Sequence, residues 1–150
     1  MPGDYAYLDG SDLYVTTYWG RLSLLDILET ISQRMKDPDL REAKLHVIDL
    51  SNATWTEAPA TLVHDQLDRL RPAFAPPKIP TVLVAPSEFF FGFARMYAVF
   101  QVTYGGSKVD VARSWSEAAS RTGVALEEAQ AWSNRHASGG SADESTRIVP

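Results

Sequence analysis

Three histidines, a few carboxylates and serines near predicted strand ends, and one arginine among aromatic residues are where this 150-residue chain could do chemistry. His46 falls in the mostly apolar run 45–50. There it is a buried ligand or base, or a core histidine bonded to a neighbour. His64 and Asp68 stand four apart, the spacing of two ligands on one helix face. No third ligand accompanies them, and the pair is read as a solvated helix face in preference to a metal site. His136 is given no role. Asp49 ends the run that holds His46, Ser51 follows it, and Ser87 and Glu88 open the helix after the next apolar run. In an open parallel sheet such strand ends frame the crevice where ligands bind, so Asp49, Ser51, Ser87 and Glu88 are candidates for one polar pocket. The competing reading makes Asp49 an acceptor for loop N–H groups and Ser87 a helix cap. An enzymatic reading would rest on His46, Asp49 and Glu88.

Other chemistries are excluded or unsupported. Cysteine is absent, which removes disulfide frameworks, thiolate zinc sites, iron–sulfur clusters and cysteine nucleophiles. No Gly-x-Ser-x-Gly, Walker loop or Gly-x-Gly-x-x-Gly occurs, so no cofactor, metal site or catalytic set is expected. A net charge of −5 and a pI near 5.1 argue against a nucleic-acid-binding surface. Residues 1–5 have neither a basic nor an apolar segment, and a cytoplasmic protein is expected. The most apolar run, 89–102, is shorter than a membrane span and holds Arg95, so no integral membrane segment is expected.

The elements that must position these residues alternate along the chain. Residues 5–9 and 12–19 are aromatic and β-branched around Gly10-Ser11, the pattern of a β-hairpin, and Gly20 is read as the strand's end. Leu24, Leu25, Leu28, Ile31 and Met35 recur at helical spacing behind Ser23 as N-cap, and Asp37-Pro38 stops them. Residues 45–50 form a strand covered on both faces, and 51–59 a polar connection carrying Trp55. A second helix begins near Ala60, with Val63, Leu67, Leu70 and Phe74 on one face, and ends among Pro72, Pro76, Pro77 and Pro80. Strand 81–85, a third helix over 87–104 and strand 108–112 follow. Ser114 and Glu117 form a capping box for the next helix, Gly123 interrupts it, and 125–135 can form one more. This order predicts an α/β fold: one mixed, mostly parallel sheet with an N-terminal β-hairpin and helices packed on it. Residues 1–136 are read as the domain and 137–150, rich in Ser, Gly and charge, as a flexible tail.

The segment Val47-Ile48-Asp49-Leu50-Ser51-Asn52-Ala53-Thr54-Trp55-Thr56-Glu57-Ala58-Pro59-Ala60 resembles the signature of STAS domains, which include bacterial anti-sigma-factor antagonists and the cytosolic domains of sulfate transporters. That pattern has two aliphatics, Asp-Leu-Ser, a short apolar stretch, then Asp-Ser-Ser-Gly opening a helix. Phe91-Gly92-Phe93-Ala94-Arg95-Met96-Tyr97 resembles a run in an uncharacterised bacterial branch of the family. The resemblance implies a STAS-like fold and a regulatory role through protein–protein interaction. In antagonists a serine of Asp-Ser-Ser-Gly is phosphorylated, but here that position falls on Pro59, which has no hydroxyl. A phosphoserine switch at this site is therefore not implied.

The third predicted helix holds five of the six phenylalanines. Phe90, Phe93, Ala94, Tyr97, Phe100 and Tyr104 make one stripe, and Phe89, Met96, Val99 and Thr103 a second. A sheet covers one face of a helix, so the second stripe is packed by neighbouring helices, faces a partner, or walls an apolar pocket. Arg95 could stack on a ring, pair with a carboxylate or bind an anion. The candidate ligand- or partner-binding residues are thus Asp49, Ser51, Trp55, Ser87, Glu88, Phe89, Arg95, Met96 and Val99. The sequence favours a non-enzymatic STAS-like domain that binds a protein partner or itself as a homodimer. A carrier of a small apolar ligand or lipid, using the aromatic helix, is the alternative.

Overall fold

The structure is a computed structural model that describes residues 3–55, 79–103 and 106–148. Among them the order is β1 (Gly3–Leu8), β2 (Leu13–Leu22), α1 (Leu24–Arg34), α2 (Asp39–Glu42), β3 (Leu45–Trp55), β4 (Thr81–Val84), α3 (Glu88–Thr103), β5 (Val109–Ala112), α4 (Trp115–Thr122) and α5 (Glu127–Ile148). The strands form one sheet in the order β1-β2-β3-β4-β5, with β1 antiparallel to β2 and every other pair parallel. The α/β class with its opening hairpin and mixed sheet is the one the residue pattern predicts. The predicted second helix and the loop position at Pro59 lie outside the described residues.

Local chemistry sets the boundaries. The hairpin turn holds Asp12 at φ 58°, a left-handed conformation that a short polar side chain tolerates, and Tyr7 Oη donates to its Oδ1 at 2.7 Å. Ser23 caps α1 in a reciprocal box with Asp26. Ser114 caps α4 by accepting from Glu117 N at 3.0 Å, but the Glu117 carboxylate takes Arg121 Nε at 3.0 Å, so the predicted reciprocal box is not what α4 forms. Helix α5 continues to Ile148, past the predicted limit at residue 135.

Two apolar layers sandwich the sheet. On one face Leu13, Val15, Leu45, Val47, Val82 and Val84 pack under α4 and α5. On the other, Tyr18, Ile48, Leu50 and Leu83 pack under Ile27 of α1 and Phe90, Phe93 and Ala94 of α3. Each large apolar side chain fully withdrawn from water contributes roughly 1.5–3 kcal/mol, so these layers hold the sheet together.

Two sequence readings need correction. First, β3 does not end at Leu50. Residues 51–55 stay in the strand, pairing with a β2 that continues past Gly20 to Leu22. Gly20 does not break β2, because at φ +71° it absorbs a backbone turn that a Cβ would resist. Second, the core-facing stripe of α1 is rotated. Leu25 is exposed, while Ile27, Thr30 and Arg34 are buried.

Gly20→Ala should therefore destabilise the fold by about 1–2 kcal/mol, the cost of a Cβ in the left-handed region. Gly92→Ala, in mid-α3 with open space around its Cβ, should stabilise it by roughly 0.5–1 kcal/mol. Urea denaturation of both variants checks the pair.

Candidate functional site

Asp49 sits where β2 and β3 change register. Thr17 pairs with Asp49 and Trp19 with Asn52, so Leu50 and Ser51 stand opposite Tyr18 alone. Such a bulge leaves one residue out of the ladder. Asp49 Oδ1 accepts Ser51 N at 2.9 Å, and its Oδ2 accepts the Ser133 hydroxyl of α5. The carboxylate is fully buried and both oxygens are engaged, so it pins the bulge and ties α5 to the sheet. Of the two readings open for Asp49, the acceptor of local N–H bonds is the one observed.

Beside Ser51 in mid-β3, and beyond the carboxyl ends of β4 and β5, lies an open groove of about 640 Å³, lined by Ser51, Pro86, Arg113, Trp115 and Gln130 among others. Of the four residues expected there, Ser51 lines it. Ser87 caps α3, accepting Phe90 N at 3.2 Å. Glu88 is exposed and takes Arg113 Nη1 at 2.8 Å, while the Arg113 guanidinium also lies 3.8 Å from the Phe91 ring centroid. The expected convergence of His46, Asp49 and Glu88 does not occur. His46 bonds Thr16 beneath α1, whereas Asp49 bonds Ser133 on the opposite face of the sheet.

Trp55 joins the aromatic layer of α3. It stacks on Phe89 at 5.2 Å and meets Phe90 and Phe93 at 6.2 Å each, with its Nε1 buried and unpartnered among the described residues. The predicted second stripe of α3 is divided. Phe89 and Met96 pack against the core from its rim, whereas Val99 is exposed. Arg95 is exposed, 6.0 Å from the Phe91 centroid. The space beneath Phe93 is about 30 Å³, room for a water or two and too small for a lipid chain.

A polar cluster that the sequence reading missed lies at the other end of this face. Arg34, the last residue of α1, turns inward and is 5% exposed. Its Nη1 donates to Thr16 Oγ1 at 3.2 Å and to Tyr18 Oη at 3.1 Å. Thr16 Oγ1 lies 2.9 Å from His46 Nε2. The Thr16 hydroxyl, with one proton and two lone pairs, thus accepts from Arg34 and bonds the His46 ring at the same time. Tyr14 meets the His46 ring edge-on at 5.4 Å and donates to Asp37 Oδ2 at 2.8 Å. Burial, then the hydrogen bond to Asp37, pushes the Tyr14 hydroxyl above its ordinary range. Across the cavity Gln101 Nε2 donates to Tyr97 Oη at 2.8 Å, and Gln101 Oε1 accepts Ser107 N at 3.0 Å. One sequence signal points to Arg34. It stands seven residues after Ile27 and three after Ile31, a charge in phase with the buried stripe.

The chain matches no known protein-family model, and no curated protein sequence matches it. No helix among the described residues is long and apolar enough to cross a membrane.

Burial, and then the charge of Arg34, hold the His46 imidazole well below its ordinary value of 6.5. The unfolded chain thus takes up a proton below pH 6.5 that the folded chain refuses, and stability must fall as pH drops through that window. His46→Gln, which preserves a hydrogen-bonding group for Thr16, should flatten the decline between about pH 7 and pH 5 by about 1 kcal/mol or more. Denaturant midpoints at both pH values, wild type against variant, read this directly.

Proposed function

We propose that the chain is a STAS-like, non-enzymatic binding domain whose working surface is the outer face of α3, and that its partner is a protein, most simply a second copy of itself. The observation that carries this reading is the outward half of α3 beyond Arg95. Val99 is 64% exposed and Val102 78% exposed, and no charged residue occurs from Met96 to Ser107. A helix face turned to solvent normally carries charge along its whole length. Here the face is charged at its start, with Glu88 and Arg95, and aliphatic at its end. Covering both valines would withdraw apolar surface worth roughly 1.5–3 kcal/mol per side chain, an increment that favours association.

The family part of the reading rests on the Asp49-Leu50-Ser51 resemblance, and an α/β fold with an opening hairpin and a mixed sheet is compatible with it. The structural work of Asp49 suits the same reading. A signature residue that pins a bulge and anchors α5 requires no catalytic role. The separation of His46, Asp49 and Glu88 likewise favours binding over catalysis by that trio.

Light scattering coupled to gel filtration tests the reading. The wild-type chain is expected to show a concentration-dependent dimer, and the Val99→Asp/Val102→Asp variant to be monomeric with an unchanged circular dichroism spectrum. A wild-type chain that stays monomeric at several hundred micromolar, a range in which even weak homodimers populate, would overturn the self-association.

A further inference from the structure

We propose that the cavity between α1, α3 and the amino-terminal halves of β2, β3 and β4 is a binding site for a small monocarboxylate with a short apolar chain, its carboxylate received by the Arg34 guanidinium. The site is independent of the outer face of α3, and either can stand without the other.

Among the described residues Arg34 is a charge without a counter-ion. A guanidinium carries five N–H donors and stays protonated. Both bonds that Arg34 makes among the described residues leave from Nη1, to Thr16 and Tyr18. Among the described residues nothing accepts from its Nε or Nη2, and no carboxylate pairs with it. The nearest carboxylate along the chain, Asp37, is committed elsewhere. Its Oδ2 takes the Tyr14 hydroxyl and its Oδ1 takes Asp39 N at 3.0 Å. An arginine with only 5% of its surface exposed and no partner charge among the described residues is an unfavourable arrangement for a free-standing fold. The uncommitted donors, Nε and Nη2, form the side-on fork that holds a carboxylate through two parallel hydrogen bonds.

The space fits that occupant. Arg34 lines a polar cavity of about 50 Å³ together with His46, Thr81, Gln101 and Ser107. That is several times the minimum for one water, and enough for a carboxylate group. Arg34, Ile31 and Tyr97 also line the second cavity, of about 30 Å³, whose other walls include Tyr18, Ile48, Leu83 and Phe93. A polar chamber that adjoins a small apolar one across Arg34 suits a charged head with a few methylenes. A single cation matches a monoanion, whereas a divalent phosphate or sulfate would leave net negative charge buried. The His46 ring, kept neutral, adds no second positive charge to favour a dianion.

The test is an NMR titration of the full chain, purified without carboxylate buffers, in which the Arg34 side-chain Nε–H signal is followed. The probes are acetate, butyrate and hexanoate, with n-butanol and sulfate as controls. We expect a saturable shift with butyrate at millimolar concentration or tighter. Affinity should rise by up to about fourfold per added methylene until the apolar chamber is full, then fall for the longer chain. Butanol and sulfate should give no saturable shift. Arg34→Met, which keeps the length and removes the charge, should bind butyrate at least tenfold more weakly by calorimetry. The Nε–H signal belongs to the wild-type protein, so it decides the matter even if that variant fails to fold. Absence of a saturable shift with every acid, an equal response to butanol, tighter binding of sulfate, or unchanged binding by a folded Arg34→Met protein would each overturn the proposal.

Discussion

A parallel run of four strands has two faces that must both be kept from water, and the rest of this fold follows from how differently the two are covered. The face under α4 and α5 is mostly aliphatic, with Leu13, Val15, Val47, Val82 and Val84, and its buried polar residues are Thr17 and Asp49. The face under α1 and α3 is divided. Toward the carboxyl ends of the strands it is apolar, with Ile48, Leu50 and Leu83 beneath Phe90 and Phe93. Toward the amino ends it presents Tyr14, Thr16, His46 and Thr81, which no aliphatic helix could cover without stranding their polar atoms. Arg34 resolves that conflict by reaching down from the last turn of α1 to donate to Thr16 and Tyr18.

That solution has consequences for everything it touches. Thr16 becomes a relay between a permanent cation and an imidazole, and the imidazole is held neutral by burial and by the charge beyond it. Tyr14 donates a hydrogen bond to Asp37, which occupies the one carboxylate that follows closely on Arg34 in the chain. At the amino-terminal end of this face, among the described residues, the guanidinium of Arg34 has more donors than the two acceptors it meets, Thr16 and Tyr18. On the opposite face the equivalent buried charge, Asp49, is fully met by Ser51 N and Ser133. The contrast between these two buried ions separates a structural pin from a site with capacity to spare.

The periodicities that arise within one segment were legible in the sequence. The hairpin, the caps at Ser23 and Ser114, the stop at Gly123 and the buried strands around Val47 and Val82 each depend on neighbours a few residues away. What escaped depends on partners far along the chain. The continuation of β3 through Ser51, Asn52 and Thr54, all exposed, follows from pairing with Trp19 to Leu22 and not from their own polarity. Asp49 has the look of a ligand because a carboxylate at a strand end is ambiguous until Ser133, 84 residues later, supplies the donor. The phase of α1 was set by counting Leu25 as apolar and Arg34 as polar, whereas the fold exposes the first and buries the second. Periodicity assigns faces by majority and is blind to the single charge that the packed face requires.

The buried charge of Arg34 acts on His46 across Thr16, with no counter-ion between them among the described residues. The most direct test is the His46 pKa, measured by NMR in the wild-type chain and in Arg34→Met, in the absence of added carboxylates. The account predicts that the wild-type imidazole titrates well below 6.5, and that removing the charge raises its pKa while burial, the larger cause, still holds it under 6.5. A wild-type His46 that titrates at an ordinary value, or one whose pKa is indifferent to Arg34, would contradict it.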